Sequence, residues 1–582
     1  MKISIDTVAR DPRNRERPFR AGAAFGLALV AMCVLTAPTA AFSQTISPDV
    51  LLGHVKYLAS DELAGREAGE PGADSAAAYI AGLFKSYGLE SLGNEFYQQA
   101  FEITTTITVA PESRLILETS KGKRELKLGE EWMPFNFSSA GSVNDGVFRA
   151  GYGLSADDYE GAESPRIVVL LGGTPDDFDP HGSGIDPSPR RKVTTAREQG
   201  AEAVMIMRQR LDIPQAGDPP HAAGIPAIQI LETDEILELL ADDELKITLD
   251  AKVEPLQVTT YNVVGKLEGS DPARADEIIV VGAHYDHLGM GGPGSMAPEE
   301  HVPHNGADDN ASGTAVLLGL AEYFAKNPDA RPARSLVFVA FSAEEMGLLG
   351  SDYFVNNPPF SLDQVTAMVN FDMVGRLNEG RMQVFGTESA EEFETLLDTL
   401  DARDDALALG YVGDGYGPSD QTSFYAKKIP VLHMFTGTHT QYHRPDDDWE
   451  LINAEGMAAV AEFSIVLIDE LANWPGDLTL IERQRPQAQG GGGYGPYLGT
   501  IPDFGEVEGG GLRLSGVRAG SPAEAAGLQE GDVVIEFAGK EVLNIYDYTY
   551  ALRDHAPGDT VQIKVRREGE VVELTAVLGK RQ

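Results

Sequence analysis

Five short segments in the middle of the chain carry residues whose types could hold and use a metal ion. His284 and Asp286 close the apolar run EIIVVGAHYD (277–286), and GADDNASG (306–313) sets Asp309 just ahead of a helix-patterned stretch. Glu344 and Glu345 follow the run that ends at Ser342, and Asp372 closes VTAMVNFD (365–372). His443, in YHRPDDD (442–448), follows KIPVLHMF (428–435). Imidazole nitrogens combined with carboxylate oxygens suit zinc, and a shared carboxylate can bridge two ions. Taken singly, each feature has a plainer reading. A histidine at a strand end is commonly a hydrogen-bonded structural residue, a Glu-Glu pair a solvated pair, and Asp-Asp before a helix a matter of capping and macrodipole. All of them fall at strand or helix ends of one segment, which argues for a shared site. The pattern alone leaves a metal hydrolase and a purely structural reading both open.

Elements that could bring these residues together are legible from Thr259 to about Trp474. The runs at 277–286, 334–342, 365–372 and 428–435 read as buried strands, and SGTAVLLGLAEYFAK (312–326) as an amphipathic helix with Ser312 as its N-cap. Near-continuous apolar strands alternating with helices predict an α/β fold, a mainly parallel (mixed) sheet with helices on both faces. Sites in such sheets form in the crevice beyond the carboxyl ends of the strands, where these residues fall. Ahead of this block, residues 54–90 read as helix, loop and helix, within an N-terminal part of the catalytic domain at 44–134. Between 135 and 255, turns separate short runs such as RIVVLL, AEAVMIM and IPAIQI, the pattern of a small β-rich inserted domain. A Gly-rich linker at 481–496 follows the catalytic block at 256–480, and residues 497–582 return to short strands.

Composition narrows the chemistry. Of 582 residues, 46 are Lys or Arg against 90 Asp or Glu, a net charge of −44 that excludes a nucleic-acid binder dependent on clustered cations. Cys33 is the one cysteine, so a disulfide framework and an all-thiolate zinc site are excluded and any metal must be held by His, Asp and Glu. Residues 1–43 run from basic to apolar to small, the order of a secretory signal peptide. The expected location is periplasmic or secreted, with a membrane anchor as the alternative if the segment is not cleaved, and no membrane span elsewhere.

The motifs HYDHLG (284–289), GADDNASG (306–313), FSAEEMGLLGS (341–351), NFDMVG (370–375), GYGPSD (415–420) and YHRPDDD (442–448) resemble, in order, those of the co-catalytic zinc exopeptidases that include bacterial leucyl aminopeptidase and glutamate carboxypeptidase. LASDELAGREAGEPG (58–72) is similar to that family's N-terminal lead-in. The resemblance implies two zinc ions per chain, bridged by Asp309, with Glu345 and His443 completing one shell and His284 and Asp372 the other. It implies Glu344 as the general base that activates a metal-bridging water, Asp286 as the residue orienting His284, Tyr416 as a carbonyl-polarising tyrosine, and a cis peptide bond near Asp309. It assigns nothing to His287, His301 or His304. Residues 135–255 resemble a protease-associated domain. The segment GSPAEAAGLQEGDVVIEFAGKEV (520–542), with YLGTI (497–501) before it, resembles a bacterial PDZ domain that would take a C-terminal peptide on the backbone N–H groups of Leu498 and Gly499. The implied activity is an exported zinc aminopeptidase acting on peptide N-termini. A carboxypeptidase or dipeptidase of the same family, and a non-catalytic peptide binder working through the PDZ unit, stand as alternatives.

Overall fold

The computed structural model describes residues 46–580 apart from 163–164, 176–177, 179–184, 215–220, 293, 404–406, 482–495, 503–506, 508 and 519. The expected signal peptide, and most of the Gly-rich linker, lie outside the described residues. Among the described residues no helix is long and apolar enough to cross a membrane.

The largest sheet has nine strands. Its longer members are β1 (Gln98–Val109), β2 (Val253–Leu267), β3 (Ile278–His284), β4 (Ser335–Phe341), β5 (Val365–Phe371), β6 (Arg381–Phe385), β7 (Ala408–Val412) and β8 (Val431–Phe435). Across the sheet they run β2-β4-β3-β5-β8-β6-β7, with β1 also paired to β2. The centre is parallel: β3 pairs in parallel with β4 and β5, and β5 with β8, while β2 joins β4 and β6 joins β8 antiparallel. The α/β mixed sheet expected from the sequence is therefore the fold.

Every residue of β3 and β4 is buried, as strands covered on both faces require. Their side chains alternate between two cores. Ile279, Val281 and Ala283 face the core shared with helices α1 (Pro48–Leu58), α2 (Pro71–Tyr87), α3 (Gly313–Lys326) and α4 (Ala454–Asn473). Ile278 and Val280 face a second core with Phe354 and Phe424. This alternation leaves the strand ends free to carry polar groups without disturbing either core.

Two details differ from the sequence reading. Ser312 has helical angles and does not cap α3; its Oγ donates to the Asp308 carbonyl inside an irregular turn, Ala307–Ser312. The turn contains a cis peptide bond at Asp309–Asn310, as the family resemblance implies. Gly313 opens α3 because a β-carbon there would stand 2.4 Å from the Phe371 carbonyl oxygen. The inserted unit also begins earlier than residue 135. Its 8-stranded sheet takes in Arg114–Thr119, Gly122–Leu126 and Trp132–Pro134, with Leu115, Leu117 and Trp132 in its core. These strands are short and half polar, so they read as connectors in sequence and are recruited only by pairing across the insertion.

The C-terminal unit is a 6-stranded antiparallel sheet from Thr500 onward, with helices Pro522–Ala526 and Ile545–Arg553 against it. It packs on both other parts. Arg197 of the inserted unit reaches Asp547 at 2.9 Å in a nearly buried ion pair, and the Arg190 guanidinium lies over the Tyr546 ring at 4.2 Å.

The segment 58–72 is tied into the sheet's working edge by Arg66. This side chain is fully buried and donates to the carbonyls of Tyr285, Leu58, Asn305 and Gly306. Gly65 beside it has φ of +72°, and a β-carbon there would stand 2.2 Å from the Gly289 carbonyl oxygen. Replacing Arg66 with Met would take the side-chain donor from the buried carbonyls of Tyr285, Leu58 and Asn305, while Gly306 keeps the Ala311 N–H. A buried charged hydrogen-bonding group removed in this way costs about 3–5 kcal/mol. Arg66→Met is therefore expected to lower the melting temperature by many degrees in a thermal scan, and a shift within one degree would show that the carbonyls find other donors.

Candidate metal centre

The carboxyl ends of β3, β4 and β5, the turn before α3 and the loop after β8 converge on one point. His284 ends β3, Asp309 sits in the irregular turn, Glu344 and Glu345 follow β4, Asp372 follows β5, and His443 lies beyond β8. His284 Nε2 stands 3.5 Å from Asp309 Oδ1 and 3.4 Å from Asp372 Oδ1. His443 Nε2 stands 3.3 Å from both Asp309 Oδ2 and Glu345 Oε2. Two ligands bound at ~2.0–2.1 Å to one tetrahedral zinc stand roughly 3.3–3.4 Å from each other, so these spacings are those of ligands around an ion. His284 Nε2 and Asp372 Oδ1 are buried atoms with no hydrogen-bond partner, which also fits a cation as their common partner.

The two imidazoles are aimed by backbone carbonyls. His284 Nδ1 donates to the Asp286 carbonyl at 3.2 Å, and His443 Nδ1 donates to the Gly294 carbonyl at 3.0 Å. In the neutral ring each bond would place the proton on Nδ1 and leave Nε2 as the atom offered to a metal. Asp286 thus orients His284 through its main chain. Its carboxylate is 3.9 Å from Nδ1 and instead accepts the backbone N–H groups of Glu344 at 3.1 Å and Glu345 at 3.4 Å. Asp286 therefore sets the position of both glutamates.

Several contributing residues carry no signal strong enough to be read from sequence. Asp447 is fully buried and accepts from the backbone N–H groups of Asp308 and Asp309, at 2.8 and 3.2 Å, and from Arg376 at 2.8 Å. Its motif, YHRPDDD, was visible, but nothing in it separates Asp447 from its acidic neighbours. His287, Asp309 and Glu345 form a second group that could hold an ion. The separation of 2.6 Å between His287 Nδ1 and Glu345 Oε1 is a hydrogen bond, however, so those two atoms are not both ligands of one ion, while His287 Nε2 is buried without a partner. His287 therefore steadies Glu345. The His304 ring is hydrogen-bonded to the Ser295 hydroxyl at 2.7 Å, and His301 is exposed.

Burial dominates the electrostatics. It pushes Glu344 well above the ordinary carboxyl range, with Glu345 and Asp372 adding repulsion. It raises Asp286 to about 6 and the neighbouring buried Asp420 to about 7. Burial would lower His443, but its bonds to Asp309 and Glu345 outweigh that and raise it to about 11. Burial would raise Glu345, but His287 and His443 outweigh it and hold its carboxyl well below the usual range. Tyr416 lies half-buried on the wall of a cavity of about 460 Å³ beside these groups.

Residues 262–468 match Peptidase family M28 and residues 499–578 match the PDZ domain family, so the chain carries one domain of each kind. It is similar to Aminopeptidase YwaD of Bacillus subtilis, 26% identical over 62% of this chain and 80% of the relative. It is also similar to an aminopeptidase of Pseudomonas aeruginosa, 31% identical over 39% of this chain and 38% of that protein. Among solved structures, a zinc aminopeptidase from Bacillus subtilis aligns with a TM-score of 0.49 at 22% identity, covering 75% of this chain and 98% of that one.

The protonation pattern has a sign that can be tested. Acids whose folded pKa is raised, Asp286 and Asp420, keep protons that the unfolded chain has lost above pH ~4, so stability falls as pH rises through 6–7. His443, raised to about 11, keeps a proton that the unfolded chain loses near 6.5, so stability falls further above that pH. Metal-free protein should melt lower at pH 8 than at pH 6. A divalent cation needs the deprotonated ligands, so the rise in melting temperature on adding zinc should be larger at pH 8 than at pH 6. Equal gains at both pH values would contradict this.

Proposed function

We propose, on the premise that residues 262–468 are a Peptidase family M28 domain, that this chain is an aminopeptidase that works with two zinc ions. The observation that carries the reading is Asp309. One of its oxygens faces His284 and the other faces His443, so a single carboxylate is shared by two ligand sets. Asp309, His284 and Asp372 would hold one zinc, and Asp309, Glu345 and His443 the other. The names of the Bacillus subtilis and Pseudomonas aeruginosa relatives support an aminopeptidase over other members of the family.

Zinc bound there supplies polarisation of the scissile carbonyl and a lower pKa for water at the site. The chain supplies the rest. Glu344 stands 3.9 Å from His284 Nε2, beside the ligand sets, and its backbone is fixed by Asp286. Its burial raises its affinity for a proton, the direction that favours a general base. Glu344 takes a proton from the attacking water and returns it to the leaving amine. Tyr416, on the cavity wall, donates a hydrogen bond to the carbonyl oxygen as negative charge develops there.

Glu344→Gln keeps shape and removes the proton acceptor. It is expected to bind the same amount of zinc by elemental analysis while kcat on an aminoacyl-p-nitroanilide falls about 10²–10⁴-fold. Near-normal turnover would remove Glu344 from this role. The unsubstituted protein should cleave aminoacyl anilides and leave N-blocked dipeptides intact, and the opposite preference would replace the aminopeptidase reading with a carboxypeptidase.

A further inference from the structure

The cavity beside the clustered carboxylates is closed on one side by the PDZ domain. Thr500, Ile501, Pro502 and Arg518 line it together with Tyr416. Thr500–Pro502 is the terminal strand of its sheet, paired with Leu512–Val517 and with no second strand among the described residues. It directly follows Leu498 and Gly499, and Gly499 accepts the backbone N–H of Arg518 at 2.8 Å. A terminal strand at this place is where PDZ domains add an extended peptide.

The domain is held in this position from both sides. Thr500 Oγ1 and the Tyr548 hydroxyl, 2.6 Å apart, tie the strand to helix Ile545–Arg553, which is pinned to the inserted unit through Asp547 and Tyr546. On the catalytic side, Arg518 Nη1 donates to Asp414 at 2.8 Å, and its guanidinium lies 4.5 Å from the centre of the Tyr416 ring. The guanidinium has five N–H donors, and the bond to Asp414 uses one. Arg518 is also the one Lys or Arg among the described residues lining the cavity. The cavity is therefore lined both by carboxylates and by one guanidinium, a polarity that matches a short stretch of peptide carrying an acidic group beyond its first residue.

We propose that the PDZ domain forms the second half of the peptidase's substrate site: strand Thr500–Pro502 holds the peptide beyond the bond that is cleaved, and Arg518 receives a carboxylate on that portion. The proposal rests on the aminopeptidase reading above. The carboxylate can be the C-terminus of a short peptide or an Asp or Glu side chain in a longer one.

The test uses zinc-loaded full-length protein and four substrates: leucyl-p-nitroanilide, leucyl-glycyl-glycine, its C-terminal amide, and leucyl-aspartyl-glycine amide. In Arg518→Gln, kcat/KM for a carboxylate-bearing peptide relative to the anilide is expected to fall about tenfold, chiefly through KM, while the ratio for the neutral amide holds within twofold. Loss on the free acid assigns the group to the peptide C-terminus, and loss on the aspartyl amide assigns it to a side chain. Arg518→Lys should recover part of the ratio. Asp414→Asn removes the ion pair that docks the domain but leaves the guanidinium, so it should keep the preference for the carboxylate. An equal loss on all four substrates, reproduced by Asp414→Asn, would reduce Arg518 to a docking contact and overturn the inference, as would an unmoved ratio. If the unsubstituted protein cleaves none of the four, the aminopeptidase reading falls and this inference with it.

Discussion

The centre of this molecule is governed by the cost of holding Asp286, Asp309, Glu344, Glu345 and Asp372 together, largely out of water. An ionised carboxylate moved to a protein interior costs several kcal/mol even after relaxation, and neighbouring carboxylates add to that. Backbone N–H groups offset it for Asp286, and imidazoles offset it for Asp309, Glu345 and Asp372. Glu344 has the least compensation, and its proton affinity rises accordingly. The same scarcity of partners makes the cluster costly to hold without a cation.

That arrangement needs a rigid frame, and charged groups of opposite sign build it on either side of the Asp309 turn. Arg66 takes the carbonyls of Asn305 and Gly306 just before the turn, and Asp447 takes the N–H groups of Asp308 and Asp309 within it. The backbone polar groups of an irregular buried turn have no helix or ladder to satisfy them, so side chains must do so. Full charges serve well here because charge-assisted hydrogen bonds are the stronger kind. The lead-in at 58–72, remote in sequence, is thereby part of the site without touching the ligands.

The residues proposed as ligands could be singled out because they follow the ends of apolar strands or stand just ahead of a helix, and strand ends in a parallel sheet share one edge. What position along the chain cannot show is which polar residue a fold turns inward. Asp447 sits among three aspartates that look alike on paper, and only tertiary contact separates the one that holds Asp309. His287 lies three residues from His284 in one motif, yet a single hydrogen bond to Glu345 gives it a supporting part. The main chain of Asp286, and not its carboxylate, aims His284, and no side-chain pattern encodes that. The inserted sheet began before its expected boundary for a related reason. Short half-polar strands acquire their identity from partners more than a hundred residues away, as Leu115 does from Leu249.

The C-terminal domain shows how weak contacts can fix a module. Most of its ion pairs with the rest of the chain are partly exposed, such as Lys540 with Glu198 or Arg191 with Asp554, and pairs of that kind are worth about 0–1 kcal/mol each. Arg197 with Asp547 is nearly buried and is the exception. Between separate proteins so modest a set would give a loose complex. Here both surfaces belong to one chain, and docking is intramolecular, so the association does not bear the entropy of bringing two molecules together. Modest contacts then suffice to hold one wall of the cavity, while the Asp309 turn is held separately by Arg66 and Asp447.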